Sequence, residues 1–267
     1  MDLLTEVVRA AREAGARLLP LYSADARPAS RAGIERSAHE LQTAALEGLD
    51  GLRETLNRLR PAARWVGDAE ERIALPDGEW WAVDEVEGAV NLLHGRPEWG
   101  VSIALVRDGA PVLAVFHEPV ADRTHTAARG EGAYLGGEPL HVSRKPDLAL
   151  AVVETSQVGD EPAPLRSRIG TAIGALMSTA LLVRTTIPTT FPLLSVAAGR
   201  SDVFWQYAPA LTGVAAGVLL ATEAGGVAVD LTGAPWRPGA ADLLVTTPAL
   251  RDAARSALAA VPTPAGH

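Results

Sequence analysis

Apolar residues recur at helical spacing from the start of the chain: Leu3, Leu4, Val7, Val8, Ala11, Leu18 and Leu19, with Arg9, Arg12 and Glu13 opposite. The repeat predicts an amphipathic helix over 2–22, weakened where Gly15 falls on the apolar face. A polar stretch, SADARPASRAGIERS, reads as a loop. A second helix is expected from about His39 to Leu59, lined by Leu41, Ala45, Leu49 and Leu56 and closed by Pro61. The period then changes to that of strands: 64–68, 79–84, 101–106 and 111–116, with an Asp108-Gly109 hairpin step, followed by 124–128 and 132–135. This half reads as an antiparallel meander against two helices.

From 148 the pattern alternates. Strands are expected at 148–153, 181–183, 202–205, 227–230 and 243–246, and helices at 164–178, 189–198, 212–223 and 248–259. Gly225-Gly226 stops one helix, and Pro188 suits the first turn of another. Alternation of this kind predicts a layered α/β fold. Two subdomains are expected, an α+β unit over 1–143 and an α/β unit over 144–267.

Composition narrows the picture. The 267 residues are 48% hydrophobic, enough for a sizeable core. The absence of cysteine excludes disulfide and thiolate chemistry. With 24 basic residues scattered against 32 acidic, no basic run exists to follow a nucleic-acid backbone, although a small anion needs only a local patch. Apolar runs are too short to span a bilayer, and MDLLTEVVRA lacks a signal-peptide pattern, so a cytoplasmic protein that binds neither nucleic acid nor membrane is expected.

The stretch WAVDEVEGAVNLLHG, 81–95, carries the strongest candidate chemistry. Asp84 and Glu87 sit at the end of a strand, and Asp68 ends its expected neighbour. Carboxylates at one end of adjacent strands can converge on a hard cation; they can equally cap turn amides. Glu70 and Glu71, as a pair, read as solvated surface. His94 reads as a hydrogen-bonded loop residue, and His39, His117 and His125 show no ligand spacing; without HExxH or CxxC, zinc is not expected. GEGAYLGG reads as hairpin turns, and no serine lies in a GxSxG elbow. Trp205, Gln206 and Tyr207 either wall a pocket or fill the core.

These residues resemble the inositol monophosphatase-like family of magnesium-dependent, lithium-sensitive phosphatases. The likeness rests on Gly67-Asp68, on WAVDEVEGAVNLLHG, on the meander VSIALVRDGAPVLAVFHEPVADRTHTAARGEGAYLGGEPLHVS and on GRSDVFWQYAPALTGVAAGVLLATEAGG. It implies an αβαβα layered fold, a homodimer and an active site between the two subdomains. The family's Gly-Glu-Glu motif places its first metal-binding Glu at Asp68 here. Its Asp-Pro-Ile-Asp-Gly-Thr places ligands at Asp84 and Glu87, with Ala89 in place of the Thr. Counting along the second helix puts Leu46 where the family has an Asp that helps orient the attacking water. Thr212-Gly213 replaces a Trp-Asp at a helix start, Ile187-Pro188-Thr189-Thr190 replaces a substrate loop, and Gln206 replaces a substrate-contacting Glu.

Leu46, Ala89 and Gly213 weaken the same machinery, since two-metal hydrolysis needs anionic ligands and an oriented water. The implied site is therefore a degraded one: no cofactor is expected, with weak Mg²⁺ binding at Asp68, Asp84 and Glu87 as the residual possibility. The favoured reading is an enzyme repurposed for metal-independent acid/base chemistry on a small, partly apolar metabolite: a cyclase, isomerase or lyase. In it, Asp84, Glu87 and Asp68 are catalytic, and Leu46, Ala89, Ile187, Pro188, Gln206, Tyr207 and Gly213 line the pocket. Two alternatives stand beside it: a catalytically silent pseudophosphatase that binds a ligand or partner, and a weak Mg²⁺-dependent phosphate monoester hydrolase.

Overall fold

The computed structural model describes residues 2–157, 159 and 161–261, leaving out the side chains of 31, 42 and 44–50. The chain opens with α1 (Leu3–Leu18), a 3-10 turn at Leu19–Leu21 and α2 (Arg31–Leu59). Next come β1 (Arg64–Trp65), β2 (Glu79–Glu87), α3 (Ala89–Leu93), β3 (Gly100–Arg107), β4 (Ala110–Glu118), β5 (Arg123–Ala128), β6 (Gly132–Leu135) and β7 (Glu138–Pro139). A 3-10 turn at Leu148–Leu150 leads to β8 (Val152–Thr155), α4 (Ala163–Met177), β9 (Leu182–Thr185), α5 (Thr190–Ala197) and β10 (Val203–Tyr207). The remainder is α6 (Leu211–Glu223), β11 (Val227–Val229), β12 (Asp242–Thr246) and α7 (Arg251–Ala259).

Three of the departures from the expected boundaries have a clear local reason. α2 begins within the expected loop because Ser30 caps it, its hydroxyl accepting the Gly33 N–H at 3.1 Å. The expected strand at 148–153 starts only at Val152, because Asp147 accepts the Ala149 N–H at 2.9 Å and winds a 3-10 turn first. β2 does not stop at Asp84: it runs on to Glu87 through an irregularity between those two residues.

β1 to β7 form one sheet in sequence order, with β1 parallel to β2 and every later neighbour antiparallel. The second sheet has the order β11-β12-β10-β8-β9. Side-chain alternation stacks the layers. On β2, Trp81 faces α1 and α2, packing with Val7, Leu56, Ile103 and Leu105. Its neighbours Trp80 and Ala82 face the other way, onto Leu193 of α5 and Val214 and Leu220 of α6. Phe204 and Val245 cover the far side of that helix pair, while Trp205 and Leu244 face Ile169 of α4 and Leu258 of α7. The layer order is αβαβα, as the resemblance implied. Helices α5 and α6 are apolar almost all round because they lie between two sheets. They approach so closely that a Cβ on Gly217 would stand 2.5 Å from Leu193 Cβ. Among the described residues no helix is long and apolar enough to cross a membrane.

Candidate active site

The irregular end of β2 brings Asp84 and Glu87 to one side of the strand. Regular alternation would set residues three apart on opposite faces; the bulge cancels that. Asp84 Oδ1 accepts the Val86 N–H at 3.0 Å, and Glu87 Oε1 accepts the Thr190 N–H, at the start of α5, at 2.9 Å. The two carboxyl groups are hydrogen-bonded to each other, which requires one to carry a proton. Burial raises both, and the Asp84 charge pushes Glu87 further, well above the ordinary carboxyl range. Glu87, 5% exposed, is therefore the harder of the two to ionise.

Glu71, read from sequence as solvated surface, is the third acid here. Its charge acts on Asp84, and its carboxylate holds the first turn of α6 through the Thr212 amide at 3.0 Å and hydroxyl at 2.5 Å. Glu70 turns back onto the Gly67 N–H at 3.0 Å. Asp68 does not join the cluster. β1 ends at Trp65, and the chain folds into a turn in which Gly67 C=O accepts the Glu70 N–H at 2.9 Å, leaving Asp68 exposed. The missed signal was the Glu-Glu doublet itself: matching the family's Gly-Glu-Glu by its paired acids rather than by its glycine selects Glu70-Glu71.

The residues expected around the acids fall into distinct places. Gly88 is in the left-handed region (φ 98°), and a Cβ there would meet Pro188 Cγ and the Glu98 carbonyl, each at 2.9 Å. Ala89 and exposed Val90 follow, and buried Asn91 ties the walls together, donating to Glu98 C=O at 2.7 Å and Ile187 C=O at 3.0 Å. Thr189 donates to Ser156 Oγ at 3.0 Å, and Thr190 to Gly213 C=O at 3.3 Å. Gly213 leaves space: a Cβ there would find Thr189 Cβ at 3.8 Å and nothing nearer. Gln206 is half-buried, its Oε1 without a partner. Tyr207 is a correction: it is core, not pocket wall. It shares a face of β10 with Val203 and Trp205, 1% exposed, with the Arg168 guanidinium 3.7 Å from its ring centre. The side chain of Leu46 lies outside the described residues.

A cavity of about 690 Å³ adjoins this cluster, with Arg27, His94, Arg96, Glu98, Arg184 and Ile187 in its walls. The three acids are not among them.

Carboxylate oxygens suit a hard cation. Among the described residues no three acids or histidines are spaced to hold a metal by themselves. Mg²⁺ does not need such a cage: one or two carboxylates suffice when phosphate and water complete the octahedron. The Asp84–Glu87 pair, a half-buried and a buried carboxyl crowded around one proton, fits a single ion of that kind. Gly213 offers no carboxylate for a second.

Residues 2–262 match the model described as the inositol monophosphatase family. An inositol-1-monophosphatase of Rhizobium meliloti is 36% identical over 190 residues, 68% of each chain. Inositol monophosphatase 1 of Solanum lycopersicum is 31% identical over 255 residues, 86% of this chain and 91% of its own. The structure of an inositol monophosphatase from Anabaena superposes with a TM-score of 0.76 at 25% identity, over 98% of this chain and 96% of that one. Relatives bearing a phosphatase name in bacteria, plants and mammals overturn the expectation of a non-hydrolytic cyclase, isomerase or lyase, and that of a silent pseudophosphatase.

Proposed function

This chain belongs to the inositol monophosphatase family, and we propose that it is a slow, Mg²⁺-dependent phosphate monoester hydrolase acting on a small polar metabolite. The interacting pair of half-buried Asp84 and buried Glu87 carries the reading. A proton-sharing pair of carboxylates beside Glu71 concentrates oxygen ligands and negative charge at one spot, which a cation and a phosphate group together would neutralise.

Asp84 and Glu87 would hold the ion, with Glu71 beside them. A bound Mg²⁺ would supply charge stabilisation to the phosphoryl group. The chain's own residues do the rest. As the ion binds, Glu87 would release the shared proton to solvent, so that both carboxyls become anionic together. The Thr190 amide keeps Glu87 oriented as it does so. Glu71, through Thr212, fixes the α6 turn on which Gly213 sits. Ala89 and Gly213 lack a hydroxyl and a carboxylate where relatives of this family carry them, which supports a divergent, weakened metal site and slow turnover. A homodimer is the proposed assembly, supported by the family pattern and checked by light scattering.

The test is release of phosphate from a simple monoester with Mg²⁺ and with EDTA. Slow release is expected that EDTA abolishes, that returns with Mg²⁺, and that falls about 100-fold or more in Asp84→Asn. Equal rates with EDTA, or none above background at any Mg²⁺ concentration, would reject the reading.

A further inference from the structure

The cavity beside the acid cluster has charge of the opposite sign from its surroundings. The chain as a whole is −8, yet Arg27, Arg96 and Arg184 line this one space with a single carboxylate, Glu98. That carboxylate is half-buried, its Oε2 3.7 Å from Arg96 and without a hydrogen-bond partner, so it offsets at most one of the three guanidinium charges. Arg27 is positioned without being neutralised: its Nη1 donates to the carbonyls of Ala24 at 2.9 Å and Ala26 at 2.7 Å, which carry no charge. Arg184 lies 3.9 Å from Glu154, whose oxygens already accept hydroxyl hydrogens from Ser201 and Thr186. His94 donates Nδ1–H to Val90 C=O at 2.8 Å, since a carbonyl can only accept. The volume, about 690 Å³, is that of a small-molecule site.

We propose that this cavity binds a multiply charged small anion, of the phosphate or polycarboxylate kind, through Arg27, Arg96 and Arg184. Guanidinium groups from three separate segments converge there: the loop before α2, the turn after α3 and the edge strand β9. Planar forks of this sort match phosphate and carboxylate oxygens two at a time. The site is distinct from the acid cluster. Asn91 and Ile187, linked by the Asn91 bond to Ile187 C=O, lie between the two. Two sources share this chemistry, the far end of a substrate held at the acids and a free metabolite anion.

The experiment is calorimetric titration of the full chain with pyrophosphate in EDTA, where bound cations cannot draw the anion to the acids. One saturable site is expected, weakened about tenfold or more in Arg184→Ala and in Arg96→Ala. It should be unchanged in Arg251→Ala, which removes an exposed guanidinium on α7. No saturation at millimolar pyrophosphate, or equal weakening in Arg251→Ala, overturns the proposal whether or not the protein hydrolyses monoesters. The source is then assigned by kinetics. A loss of kcat/KM in Arg184→Ala confined to monoesters that carry a second anionic group marks the substrate's far end. A loss of pyrophosphate binding with no such selectivity marks a free anion.

Discussion

Glu71 takes both the amide and the hydroxyl of Thr212, 141 positions away, at 3.0 Å and 2.5 Å. It thus satisfies an N–H of α6 that has no partner within the helix and puts negative charge at the positive end of that helix. Glu71→Ala is expected to cost about 1–2 kcal/mol in urea denaturation. Thr212→Val, which removes the hydroxyl and keeps the amide, should cost less, about 0.5–1.5 kcal/mol. Two variants indistinguishable from wild type would mean that solvent replaces this cap without loss.

Stability should fall as pH rises through the weakly acidic range. Burial, helped by the charge of Asp84 and opposed by Arg53, raises Glu85 to about 7 from an ordinary 4.5. A carboxyl raised in the folded state binds more protons there than in the unfolded chain, so its contribution is complete below about 4.5 and is lost towards 7. Asp84 and Glu87 are shifted in the same direction. Melting temperature measured in EDTA should decline between those pH values, and Glu85→Gln should flatten the decline. A profile that rises over this window would contradict the upward shift of all three.

Gly213→Asp should be tolerated and should raise Mg²⁺-dependent turnover. The residue lies in α6 outside the left-handed region, and a Cβ there meets only ordinary contacts. With Ala89→Thr added, a gain of roughly tenfold is expected, about 1.4 kcal/mol of barrier. A folded double variant that binds Mg²⁺ more tightly yet turns over no faster would shift the blame to the Ile187-Pro188 segment.

One turn along the same helix the outcome reverses. Alanine is intrinsically better than glycine inside a helix by about 1 kcal/mol. At Gly217 that gain is outweighed, because the new methyl would overlap Leu193 Cβ, which cannot swing away. Overpacking of this kind costs about 1–3 kcal/mol. Gly217→Ala should lower the urea midpoint and Gly213→Ala should not; equal effects would mean that α5 and α6 can separate without strain.

How far the sequence carried the reading depends on how local the signal was. The strand period at Trp80-Trp81-Ala82 gave both sheet faces, because successive side chains must part. The apolar helix at 211–223 was visible with its stop at Gly225-Gly226. Asp84 and Glu87 were picked out, although not the bulge that puts them on one side. Glu71 is not legible locally, because its partner, Thr212, is remote in sequence and a Glu-Glu doublet on its own carries no address. Gly67 points to Asp68, but the tight turn from Gly67 to Glu70 aims the Asp68 side chain at solvent. Tyr207 could have faced either way; only the register of β10 against β12, Tyr207 opposite Asp242, fixes it inward.

The enclosure of α5 and α6 between two sheets has a consequence for hydrogen exchange. Amides in the middle of that layer can meet solvent only when the sheets part, so their exchange reports global opening. Thr190 and Thr212, which hold Glu87 and Glu71, are mounted on those two helices. Val90 and Ile187, by contrast, are exposed, so amides beside them can exchange by local fluctuation. The acids are thus anchored to the slowest-exchanging part of the chain, while Ile187, between them and the arginine cavity, belongs to a faster one.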